Sequence, residues 1–141
     1  MKINRNGVDE TASVPEEVAF TAHQATSATA VLAKSREQRA IELRQEAADL
    51  IDTSAGIDTT LPAEHRAREL MMLNAAFSDL LVRARGRPLS GPEQAQLDGL
   101  RAVFEGAQAI RAAEAAARAE AAAAVDLTAV RAVPGVAGRL P

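Results

Sequence analysis

From Leu70 the apolar residues recur by threes and fours: Leu70, Leu73, Phe77, Leu80 and Ala84. That spacing keeps one side chain after another on a single helix face. Met71, Met72, Leu81 and Val82 fall outside the stripe, so this segment is apolar on more than one side. A second stripe follows at Leu97, Leu100, Phe104, Ala107 and Ile110. Only a few residues separate the two segments, too few for anything but an antiparallel helical hairpin. The candidate core or interaction set is therefore Leu70, Leu73, Phe77, Leu80, Leu97, Leu100, Phe104 and Ile110.

Start signals agree with this pattern. Ser13-Val14-Pro15-Glu16-Glu17, Thr60-Leu61-Pro62-Ala63-Glu64 and Ser90-Gly91-Pro92-Glu93-Gln94 each join a hydroxyl residue, a proline and a glutamate. The hydroxyl can accept from a free amide of the first turn, where proline's missing N–H costs nothing. The carboxylate meets the positive end of the helix dipole. Three helices follow: Val14 to about Asp52, Leu61 to Arg85-Gly86, and one opening at Gly91. The first is small and polar at its start, with Ala19, Ala22, Ala25, Ala28 and Ala30, and a break near Thr26-Ser27 fits the competition of hydroxyls for backbone bonds. Its second half repeats every seven residues through Ala40 and Ala47, Leu43 and Leu50, and Ile41 and Ala48.

Beyond Ile110 the third helix turns into an alanine run from Ala112 to Ala124, in which Glu114 and Arg118 make a favourable i,i+4 pair. At 1.5 Å per residue the third helix reaches ~50 Å and the second ~37 Å, leaving an overhang of ~15 Å. Either the alanine half of the first helix or a second copy of the chain is expected to cover it. The fold class expected is all-α: a hairpin plus a preceding long helix, bundle-like or coiled-coil-like, with extended termini. The division is an N-terminal arm at 1–12, a long small-residue helix at 13–55, the hairpin at 60–126 and an extended tail at 127–141.

Composition narrows the picture. Of 141 residues, 48% are hydrophobic but only 2% aromatic. Alanine supplies about half of the apolar share and buries little area per residue, which suits thin, close-packed helices better than a wide core. A net charge of −3 argues against general nucleic-acid affinity, which needs a concentrated basic face. With no cysteine there are no disulfides and no thiolate metal sites. The N-terminus lacks a secretory apolar run, and no stretch approaches the ~20 apolar residues of a membrane span. These features lead us to expect a soluble chain of the cytoplasm, or one assembled into a particle there.

Candidate chemistry is sparse. Arg85-Gly86-Arg87-Pro88 is the core string of a minor-groove AT-hook, but that use needs a basic, unstructured surround. Helix termination accounts for the same residues: arginines at a helix C-terminus, glycine beyond it, then proline. His23 and His65 lie on different helices with no convergent partner in the sequence. Glu16-Glu17 are first-turn carboxylates with nothing nearby to raise their pKa. No phosphate-cradling, zincin or nucleophile-elbow motif is present. No enzyme activity, cofactor or metal is expected.

Residues 62–113 resemble a helical-hairpin segment of small alanine-rich structural proteins of tailed bacteriophages, encoded near tail and tail-fibre genes. The resemblance rests on Gly86-Arg87-Pro88-Leu89-Ser90-Gly91-Pro92-Glu93-Gln94-Ala95, on Leu97, Leu100 and Phe104, and on Ile110-Arg111-Ala112-Ala113. It implies a virion component whose partners are other virion proteins and copies of itself, with no membrane and no small-molecule substrate. The alternative expectation is a helical assembly chaperone or regulator that binds a protein partner or AT-rich DNA. In either case, the unmatched first helix and the alanine end of the third are where contact with other chains is expected.

Overall fold

A computed structural model describes residues 10–141, and their side chains from Ser27 onward. Four α-helices occur in the order α1 (Glu10–Ser54), α2 (Ala63–Gly86), α3 (Gly91–Ala123) and α4 (Leu127–Ala132), followed by a 3-10 turn at Ala137–Arg139. No strand occurs among the described residues, and the architecture is an all-α helical bundle. None of these helices is long and apolar enough to cross a membrane.

The helix ends show which of the start signals operate. Ser90 caps α3 in a full capping box: its hydroxyl accepts from the Glu93 amide at 3.3 Å, and its own amide donates to the Glu93 carboxylate at 2.9 Å. Thr60 does not cap α2. Its amide and hydroxyl both donate to the Asp58 carboxylate, at 2.9 and 2.7 Å, and Pro62 occupies the cap position without a side-chain bond. The α1 helix starts at Glu10, ahead of the predicted Ser13 cap, so residues 10–12 of the expected arm are helical. Residues 1–9 lie outside the described residues. The helix also runs unbroken through Thr26-Ser27.

At its other end α1 stops in a Schellman motif. The Ile57 amide donates to the Asp52 carbonyl at 2.8 Å and the Gly56 amide to the Thr53 carbonyl at 3.1 Å. Gly56 adopts φ +78°, the left-handed conformation that favours glycine. Ile57, the next residue, is buried and anchors the turn. By contrast, Gly86 is the last residue of α2 and has no positive φ, and the extended Arg87 closes the helix instead.

The α3 helix is the spine. Its first part packs against α2 around buried Leu80, Leu97 and Leu100, with Leu73, Ala76, Phe77, Leu81 and Leu89 against them. This is the predicted hairpin, closed by residues 87–90. Its second part packs against α1, and this interface is the most extensive in the molecule. Leu43, Ala47 and Ile51 of α1 meet Ala107, Ile110, Ala117 and Ala121 of α3 in one buried cluster. The helices α1 and α2 therefore follow one another along α3, and Leu70 near the start of α2 joins the α1–α3 cluster at their junction.

Two expectations are corrected here. The alanine end of α3 is covered within the chain, and by the leucine-bearing half of α1 rather than by its alanine half. Alanine on α3 leaves room for the larger Leu43 and Ile51, which are buried against it. The tail at 127–141 is not extended. It forms α4 and the 3-10 turn and adds buried Val130, Val133 and Val136 to the core.

Candidate interaction surfaces

The predicted core residues divide between the two clusters. Leu80, Leu97 and Leu100 are buried between α2 and α3, with Leu73 and Phe77 against them. Phe104 meets Phe77 in a tilted ring pair with centroids 5.2 Å apart. Ile110 is buried in the α1–α3 cluster, where Leu70 packs as well. All eight are interior or half-interior, so they build this chain and are not its outer surface. The seven-residue repeat of α1 picked out Leu43 and Ala47, which are buried, but periodicity missed Ile51, Ala117, Ala121, Val130, Val133 and Val136. The last three stand at intervals of three behind Asp126, which caps α4 by accepting from the Ala129 amide at 2.7 Å. That cap and spacing were readable in the sequence.

Polar side chains of α1 hold the tail down. Arg36 donates through Nε to the Ala124 carbonyl at 2.9 Å, and Arg39 to the Val133 carbonyl at 2.8 Å. The Glu46 carboxylate accepts from the Ala137 amide at 2.8 Å and sits so close to Gly135 that a β-carbon there would lie 2.7 Å from it. Arg139 pairs back to Glu120 on α3, holding that carboxyl below its usual pKa. Where α1 meets α2, Arg66 bridges Asp49 at 2.7 Å and buried Asp52 at 2.6 Å. The Arg66 guanidinium holds the Asp49 carboxyl down, against a smaller opposing effect of burial.

The α2–α3 corner carries the AT-hook string. Arg87 grips Glu93 with two nitrogens, both at 2.9 Å, and Arg83 reaches Glu93 at 3.2 Å and Asp79 at 2.9 Å. The Arg87 hydrogen bonds first, and the Ser90 amide second, hold the Glu93 carboxyl well below the ordinary carboxylate range. Two of the three corner arginines are thus occupied by their own chain. Arg85 makes no ion pair among the described residues.

His65 is exposed on α2, as its charged surroundings predict. The His23 side chain lies outside the described ones. No group of three or more acidic or histidine side chains among the described residues could hold a metal. The clefts are open and shallow. A cleft of about 420 Å³ is lined by Arg44, Ala47 and Ile51 of α1, Leu70 of α2 and Arg111 of α3.

What remains on the surface is apolar helix. Met71, Met72 and Val82 of α2 are 68%, 67% and 63% exposed, and Ile41, Val31 and Val125 are also open. Scattered apolar residues are ordinary on a protein surface, but three on one helix flank are not scattered. No family model, no curated protein and no solved structure matches the chain.

Proposed function

We propose that the chain is a non-enzymatic structural or adaptor protein of a tailed-phage virion, in the tail or tail-fibre region. It acts through helix–helix contacts with other virion proteins and with copies of itself. The observation that carries this reading is the outward flank of α2, where Met71, Met72 and Val82 stay open to solvent while the stripe on its other side is packed on α3. The resemblance of residues 62–113 to phage hairpin segments adds the setting. The alanine end of α3 packs on α1 within the chain.

Mass spectrometry of purified particles of the encoding phage tests it. The chain should persist in finished tails at a fixed ratio to known tail proteins. Presence in the infected lysate but loss from finished particles would replace the virion reading with the assembly chaperone. The DNA version of that alternative draws little from the corner, since Glu93 engages Arg83 and Arg87. A gel shift with AT-rich duplex separates it.

A further inference from the structure

The α2 helix carries two stripes on opposite sides, the inner one apolar and the outer one mixed. The inner one, through Leu73, Phe77 and Leu80, packs on α3. The outer one steps by fours and threes through Glu64, Arg68, Met71, Ala75, Ser78, Val82 and Arg85, and all seven residues are exposed. At 100° per residue this outer stripe lies diametrically opposite the inner one. A four–three repeat is the seam of a two-helix coil. No other helix covers it among the described residues.

We propose that this outer face binds the same face of a second copy, with the two α2 helices antiparallel about a twofold axis. One register satisfies charge and volume together. With Asn74 set against Ala75 of the second copy, Met71 lies against Ser78, Val82 against Ala67, and Glu64 against Arg85. Met71 and Val82 each meet a small side chain, so the helices can approach closely there. Each end places a carboxylate against a guanidinium, and symmetry provides every contact twice. Glu64 and Arg85 make no ion pair among the described residues, so neither gives up a partner to join. Asp79, by contrast, is already held by Arg83 at 2.9 Å. A parallel pairing would set Glu64 against Glu64 and Arg85 against Arg85, and so is disfavoured by charge.

This deepens the helix-contact reading above and rests on it for the premise that the flank is covered in use. Sedimentation equilibrium of the full chain tests it. A species of twice 14.8 kDa is expected at tens of micromolar. The double variant Met71→Glu/Val82→Glu should be monomeric with unchanged helical circular dichroism, since both residues point away from α3. Glu64→Arg and Arg85→Glu should each weaken the dimer by about tenfold, and the combination Glu64→Arg/Arg85→Glu should restore it. A strictly monomeric wild-type chain would overturn the proposal, as would a dimer indifferent to the Met71/Val82 change or a charge reversal without rescue. The virion reading fails separately, by absence of the chain from finished particles.

Discussion

The guanidinium of Arg36 on α1 donates to the carbonyl of Ala124, the residue at which α3 ends, 88 positions later in the chain. The last turn of α3 contains no basic residue of its own. Its final carbonyls carry the negative end of the helix dipole, and α1 supplies the cation that meets it. The same contact fixes the direction in which the chain leaves α3 and enters α4. Replacing Arg36 with Ala should therefore cost about 1.5 kcal/mol, the scale of a hydrogen bond with one charged partner. Urea unfolding gives the value, and Arg36→Lys should fall between wild type and Ala because it keeps the charge but loses the fork.

Ala117 and Ala121 have no accessible surface, whereas Ala116 and Ala122 beside them are exposed. The seam is set by the absence of side-chain volume, so added volume must push α1 away from α3. Ala117→Leu should destabilise by about 3 kcal/mol through overpacking. Ala116→Leu should stay within about 0.5 kcal/mol of wild type, as an exposed substitution of one strong helix former by another. Equal effects at the two positions, read by thermal unfolding, would remove the seam from the account of stability.

The contrast between those two alanines shows what the sequence could and could not disclose. Leucine and phenylalanine at threes and fours revealed the α2–α3 hairpin, because each large residue reports its own face. In the run from Ala112 to Ala124 every position is compatible with every face. Only Leu43 and Ile51, placed on the spine by the folded chain, separate Ala117 from Ala116. The tail was missed for another reason. Its cap and valine spacing are legible, but its helix is six residues long, too short to hold itself, and the backbone on either side of it is held by Arg36, Arg39 and Glu46 of α1. The outer stripe of α2 was visible as apolar excess. That it faces solvent was not, until α3 took the inner stripe.

Val136 is fully buried. Val136→Ala should cost about 2 kcal/mol, the usual penalty for emptying a core methyl site that cannot collapse. Deletion of residues 127–141 should do much more, since it removes Val130, Val133 and Val136 together and uncovers the α1–α3 seam. Dye binding to exposed apolar surface should rise in the truncated chain at neutral pH. A truncated chain that melts like the full one would show the tail to be an ornament.

Gly56 tests the local stop of α1 apart from packing. Nothing lies within 4 Å of the place where a β-carbon would be added, so Gly56→Ala meets no steric neighbour. Its cost is the φ of +78° alone, about 1 kcal/mol. Asn, which visits the left-handed region more readily, should cost less than Ala.

Acid should loosen the molecule in a defined order of cause. Glu93, Asp49 and Glu120 are all held below their ordinary pKa by arginines: Arg87, Arg66 and Arg139 respectively. A carboxyl whose pKa is depressed by folding contributes stability that is complete above its unfolded value, 4.5 for Glu93. That contribution is lost as the pH falls through the lower folded value, because the unfolded chain then binds more protons. The urea midpoint should thus be level from neutral pH down to the unfolded carboxylate range and fall steadily below it. Glu93→Gln is the sharp test. Glutamine can still accept from the Ser90 amide and keep the capping box, but it cannot pair with Arg87 or Arg83. The variant should be less stable than wild type near neutral pH, and the gap should narrow steadily as the pH falls below about 4.5. A gap independent of pH would mean that the loss is packing at the corner and not the charge on Glu93.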